Sequence, residues 1–213
     1  VRAVMDQGWA LIPTWVGPQA PCSRFINKFS YDPVEAYQQG RGEAEAASLA
    51  AANLGLTSFG SGSTIVYYDM EGYSSYSTTA CRTAVKSFIN GWVERMHELG
   101  SPAGVYGGSC SSYMADWATI PNVPDDVWIA WWTEDGYDPD ASVWDIICLS
   151  NTLWNNNQRL RQYAGDHGET WGSVTMPDMD SDVTLGQVLA LVNTPEPADQ
   201  ARLERSMLVS GPT

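Results

Sequence analysis

Short apolar runs alternate with helix-patterned stretches along most of this chain, and that alternation restricts it to a parallel sheet whose strands are joined by crossover helices. Six runs read as strands: residues 10–16 (ALIPTWV), 64–69 (TIVYYD), 103–106 (AGVY), 127–132 (VWIAWW), 160–163 (LRQY) and 173–178 (SVTMPD). The first, second and fourth are nearly continuous in apolar or aromatic residues, as strands covered on both faces must be. Pro13 interrupts the first and makes it irregular. Between the runs, residues 43–54 (EAEAASLAAANL) have helix-forming composition and are followed by Gly55. Residues 78–99 carry Val85, Phe88, Ile89, Trp92, Val93, Met96 and Leu99 at three- and four-residue spacing, with Gly100 as the stop. A further helix is expected over residues 182–193.

Composition narrows the function classes. With 213 residues, 44% of them hydrophobic, the chain can bury one substantial core, expected over residues 1–193. Residues 194–197 (TPEP) read as a linker, and 194–213 together as a linker and polar tail leading to a further domain or neighbour. The tetrapeptide Gly60-Ser61-Gly62-Ser63 is a small loop. A net charge of −14 repels phosphate backbones, so nucleic acid is not an expected partner. No stretch reaches the roughly 20 consecutive apolar residues of a membrane span, and the first residues do not read as a signal peptide.

Four cysteines, Cys22, Cys81, Cys110 and Cys148, are spaced too widely for a zinc site and suggest disulfides rather than buried free thiols. Three pairings remain open, with Cys22–Cys81 and Cys110–Cys148 favoured. The two histidines, His97 and His167, are too few for a metal cluster. No phosphate-binding loop, dinucleotide fingerprint or nucleophile elbow is present, and no cofactor is expected.

What remains is acidic. Asp69 and Glu71 stand at i and i+2 where a buried strand ends, on one face and about 6.5–7 Å apart along the backbone. In a barrel of parallel strands that end is the catalytic face. Glycoside hydrolysis needs two carboxyl groups, one protonated and one ionised, and aromatic surroundings with mutual repulsion separate their pKa values. Glu71 is the expected acid and Asp69 its ionised partner. A second cluster, Asp178, Asp180 and Asp182, follows the last strand; it departs from a calcium loop because Val183 stands in place of the turn glycine, and no metal is expected. Aromatic residues near strand ends, Trp15, Tyr106, Trp131, Trp132, Tyr163 and Trp171, offer faces for sugar rings, although about half should simply be core. Trp15, Trp131 and Tyr163 are the favoured substrate-binding candidates, together with Tyr73 and Asp178.

The ordered set GWALIPTWVGPQAPC, IVYYDMEGY, AVKSFINGWVERMHELG, GVYGGS, VWIAWW, RQYAGD and VTMPDMD resembles the glycoside-hydrolase-like family once called domain of unknown function 1906, over residues 5–183. That family is similar to the family 25 lysozymes, which cleave the β-1,4 link between N-acetylmuramic acid and N-acetylglucosamine. The resemblance implies a TIM-type (β/α)8 barrel in which the six strands are the third to the eighth. It places Asp69 and Glu71 on the D-x-E pair, with Glu71 as acid, and Asp180 on the last-strand aspartate, with Asp178 as a competing alignment. The family's first-strand G-F-D aspartate and second strand do not occur in this sequence, so either they lie upstream, or another chain supplies them, or this is a modified barrel with no activity. The function implied is acid-assisted cleavage of a peptidoglycan-like cell-wall polysaccharide by an extracellular, cell-surface or virion-associated protein. The alternative is a non-catalytic glycan-binding or structural barrel.

Overall fold

A computed structural model describes residues 1–5, 7, 9–56 and 64–185. Its elements are α1 (Arg2–Met5), β1 (Thr14–Trp15), α2 (Pro33–Asn53), β2 (Val66–Asp69), α3 (Thr79–Glu98), β3 (Ala103–Gly108), β4 (Asp126–Ala130), β5 (Arg159–Trp171) and β6 (Val174–Thr184), with 3-10 turns at Ser74–Tyr76 and Met114–Thr119. One sheet contains all six strands in sequence order. β1 to β5 run parallel, whereas β6 pairs antiparallel with β5.

The expected (β/α)8 barrel is therefore corrected to an open, curled half-barrel, with three α-helices among the described residues. The physical reason lies at Gly172-Ser173. Trp171 pairs with Val174 across these two residues, and Gly172 has φ +61°, a positive value suited to a tight turn. Two residues join antiparallel strands, while a parallel return needs a crossover of a dozen or more. The run expected as a parallel strand at 173–178 is thus the returning arm of a hairpin, and residues 182–184 of the expected helix belong to β6. Leu185 follows β6 with its amide donating to the Arg159 carbonyl, and residues 186–193 of that helix, the linker, the tail and the 60–63 loop lie outside the described residues.

Both long helices form where capping and composition direct them. Asp32 caps α2, its Oδ1 accepting from the amides of Val34 at 2.8 Å and Glu35 at 3.0 Å, with Pro33 opening the helix. Thr78 caps α3 by accepting from the Cys81 amide at 3.2 Å. Gly55 (φ +73°) and Gly100 (φ +77°) take the left-handed conformation just past their ends. α2 is longer than its composition suggested, because its first turns carry Tyr37, Gln38, Gln39 and Gly40 rather than a run of strong helix formers.

These helices cover the outer face of β1 to β3. Phe88, Ile89, Trp92, Val93 and Met96 of α3 are buried in one cluster with Val66 and Tyr68 of β2, Val105 of β3, and Val127 and Ile129 of β4. Tyr68 meets Phe88 and Trp92 edge-on, at 4.9 and 5.2 Å between ring centroids. The two helices approach closely through a reciprocal pair of glycines. A Cβ at Gly40 would lie 2.1 Å from the Phe88 carbonyl oxygen, and one at Gly91 2.1 Å from that of Tyr37.

Between β4 and β5 an irregular segment takes the place of a helix. Its carbonyls are satisfied by two arginines on β5. Arg159, fully buried, donates to the carbonyls of Val143 (3.0 Å), Ser150 (2.6 Å) and Leu153 (2.6 and 3.1 Å), and its guanidinium lies 4.6 Å from the Trp144 ring centre. Arg161 donates to the carbonyls of Trp131 (3.1 Å) and Ser142 (2.8 Å) and to the Thr133 hydroxyl. The Cys110–Cys148 disulfide ties this segment to the loop after β3, and Cys22–Cys81 ties the loop after β1 to the first turn of α3.

Candidate active site

Alternation along the strands gives the face away from the helices a different content. Tyr67 and Asp69 of β2, Tyr106 of β3, Trp128 of β4, and Leu160 and Gln162 of β5 share it. Tyr67 and Leu160 anchor a small second core with Ile65, and Trp128 packs edge-on to both Tyr67 (6.0 Å) and Tyr106 (5.1 Å). Above this floor, at the carboxyl ends of the parallel strands, the acidic residues gather.

Asp69 closes β2 beside Tyr106, its partner in register on β3. Burial pushes the Asp69 carboxyl up from 3.8 to about 6, and the nearby charge of Glu71 adds to this. Its Oδ1 is buried with no hydrogen-bond partner among the described residues. A buried, incompletely satisfied carboxylate is costly, and its place at a strand end makes it a candidate functional group. Gln19, from the loop after β1, fixes the pair: its Nε2 donates to the Asp69 carbonyl at 2.7 Å, and its Oε1 accepts from the Glu71 amide at 2.9 Å. The backbone of Gln19 is itself pinned, donating to the Asn27 carbonyl and accepting from the Phe29 amide.

The hairpin supplies the other carboxylates. Along β6, Asp178, Asp180 and Asp182 fall on one side by strand alternation. Gln162 donates from Nε2 to Asp180 Oδ2 at 2.8 Å, and the Asp166 amide donates to Asp180 Oδ1 at 3.1 Å. Asp182 accepts from Trp128 Nε1 at 2.6 Å. Although Asp182 keeps contact with solvent, crowding by protein raises its carboxyl to about 6; the Trp128 hydrogen bond opposes this, and the charge of Asp180 adds to it. Tyr106 stands amid all four carboxylates. Burial raises its phenol, and Glu71, Asp69, Asp180 and Asp182 raise it further. Its hydroxyl therefore stays protonated and donates to Gln162 Oε1 at 2.9 Å.

The structure thus brings Asp69, Glu71 and Asp180 into one electrostatic neighbourhood, adding Asp182, Tyr106, Gln162 and Gln19 to it. It places other expected residues elsewhere. Trp15 pairs in register with Tyr68 and hydrogen-bonds Glu43 of α2 at 2.6 Å, so it belongs to the helix-covered side. Tyr73 is 2% exposed and packs against Tyr113 in the main core. Trp131 lies 4.5 Å from the Arg161 guanidinium and packs on that same core. Tyr163 is 3% exposed, on the opposite side of β5 from Gln162, and its hydroxyl accepts from the Asp138 amide at 3.4 Å. Asp178 is exposed, farther out along the hairpin. The raised pKa falls on Asp69, the residue expected to be the ionised partner, because its side chain closes a buried strand. Gln162 had a readable signal, a glutamine inside an otherwise buried strand; Gln19 had none.

Among the described residues, no group of three or more His, Cys, Asp or Glu side chains is disposed to hold a metal ion. No described helix is long and apolar enough to cross a membrane.

Comparison with known proteins adds the family. No curated protein matches the chain. A crystal structure of an uncharacterized B. stearothermophilus protein is similar at 16% identity and a TM-score of 0.49, covering 86% of this chain and 73% of that one. The family described as Rv2525c-like, glycoside hydrolase-like domain matches residues 1–184. That match takes in every described strand and all four clustered carboxylates, and the chain belongs to this glycoside hydrolase-like family.

Proposed function

We propose that the protein is a glycoside hydrolase acting on a cell-wall polysaccharide of the peptidoglycan type. The observation that carries the reading is the convergence of Asp69 and Glu71, at the end of a parallel strand, with Asp180 on the returning hairpin arm, around a protonated Tyr106. Asp69 keeps a proton up to about pH 6 beside Glu71. Glu71, carrying the longer side chain just beyond the strand, relays that proton to the departing glycosidic oxygen, and the water that attacks the sugar carbon gives up a proton that restores Asp69. Asp180, accepting from Gln162 and the Asp166 amide, faces the positive charge that develops on the sugar ring. Membership of a glycoside hydrolase-like family supports the reaction class, and two disulfides fit an extracellular location. The substrate follows from the resemblance to family 25 lysozymes and from the aromatic, acidic character of the face.

Release of reducing ends from purified peptidoglycan tests the assignment. Glu71→Gln should lower the rate by about 10²- to 10⁴-fold, the usual worth of a general acid, while sedimentation with the polymer persists. Undiminished turnover in that variant would remove Glu71 as the acid. Binding without turnover in the wild type would leave a glycan-binding module.

A further inference from the structure

In the second half of the sheet Trp171 is 56% exposed at the turn of the hairpin, and Trp132, beside the carboxylates, is exposed as well. Trp154 is 6% exposed and Trp128 and Trp131 are half-buried, whereas Trp132 is 48% exposed. Its position is nonetheless fixed. The indole Nε1 donates to Gln162 Oε1 at 2.9 Å, and Gln162, 5% exposed, accepts there from the Tyr106 hydroxyl also and donates to Asp180.

Gly165 lies against the same ring. A Cβ at Gly165 would meet three adjacent ring carbons, Cζ2, Cε2 and Cη2, at 2.3, 2.4 and 2.6 Å. An approach in the ring plane would make the outer two much farther than the middle one, so the glycine backbone sits on the face of the indole. One face is packed, the N–H edge is bonded, and the exposed surface belongs to the other face. A large apolar surface held rigid and left in water beside a carboxylate cluster is a binding feature rather than a packing one.

We propose that the free face of Trp132 is a sugar-stacking subsite that receives one pyranose ring of a β-linked, gluco-configured glycan next to Asp180. In such a ring the hydroxyls and linkages are equatorial, so the axial C–H groups form flat apolar faces that match an indole. The hydroxyls then radiate toward the polar groups around the ring. Gly165 is part of the subsite because any side chain there would drive the indole off its seat. The proposal rests on the glycosidase reading for its ligand class, and Gln162 links it to the carboxylates, since one amide positions the platform, Tyr106 and Asp180 together.

The test uses chitohexaose, a β-1,4-linked N-acetylglucosamine oligosaccharide, in binding and hydrolysis assays of the full chain. Trp132→Ala should raise the Kd and KM about tenfold or more with kcat within about threefold, and Trp132→Phe should recover most of the loss. In the wild-type protein, the Trp132 indole N–H resonance should shift on titration, a readout independent of how the variants fold. If the wild type hydrolyses the sugar and Glu71→Gln does not, unchanged KM in Trp132→Ala together with a stationary indole resonance overturns the platform alone. Binding that depends on Trp132 without hydrolysis of either chitohexaose or peptidoglycan keeps the platform and removes the hydrolase reading. Failure of the wild type to bind chitohexaose overturns the platform, and failure to cleave peptidoglycan as well removes both.

Discussion

Strands β1 to β3 are backed by two helices that satisfy their own backbone groups; apolar packing through Phe88 and Trp92 and the close approach at glycines 40 and 91 hold them in place, and Tyr37, Arg41 and Glu45 of α2 pair with Glu94, Glu98 and Arg95 of α3 at their outer edge. β4 and β5 are backed by an irregular segment, held by the guanidinium groups of Arg159 and Arg161 and by the Cys110–Cys148 disulfide. The difference follows from backbone accounting. Once a covering segment is not helical, its carbonyls need donors from elsewhere, and one arginine supplies up to five. The difference reaches the site as well. In the first half a strand end presents Asp69 and Glu71; in the second, a two-residue turn sends the chain back antiparallel, so Asp180 and Asp182 arrive on a hairpin arm rather than at the end of a parallel strand.

The comparison breaks most readily at Arg159. Arg159→Met keeps the bulk and removes the donors, leaving the Val143, Ser150 and Leu153 carbonyls short of partners; we expect a loss of about 3 kcal/mol or more in urea unfolding. Hydrogen exchange should rise over residues 142–153 while α2 and α3 stay protected. Uniform exchange across the chain would show that the irregular segment does not depend on its arginine. A smaller loss is expected in the helical half. Gly91→Ala forces a methyl group toward the Tyr37 carbonyl and should cost about 1–3 kcal/mol, recovered only if the helices separate. A larger effect at Gly91 than at Arg159 would reverse the account of which half is the more tightly specified.

Legibility in the sequence follows the same division. β2, β3, β4 and α3 rest on local apolar patterning, and their positions were readable from IVYYD, AGVY, VWIAWW and the helical stripe of residues 78–99. The second half depends on groups whose role is contextual. An arginine is normally surface-exposed, so Arg159 just before LRQY and Arg161 within it gave no sign of capping a remote segment. The Gly172-Ser173 pair is a hairpin signal, but the run at 173–178 has the same local pattern in a parallel strand as in a returning hairpin arm. Asp69 and Glu71 were readable as candidates from their place at the end of a buried apolar run, and Asp180 from the acidic cluster at 178–182 together with the family resemblance. Gln162 and Trp132 draw their significance from one another and from Gly165, a relation only the folded chain displays.

The electrostatics of the first half centre on Asp69. Its native carboxyl holds a proton up to about pH 6 against 3.8 ordinarily, so protonation favours the fold in full below 3.8, and that contribution is lost as the pH rises through 6. Carboxyl-detected NMR titration of the side chains tests the central claim most directly. The account predicts that Asp69 titrates near 6 and moves downward in Glu71→Gln, because burial sets most of its shift and the neighbouring charge the rest. An Asp69 that titrates near 4 and ignores Glu71 would contradict the buried, interacting pair on which the site is built.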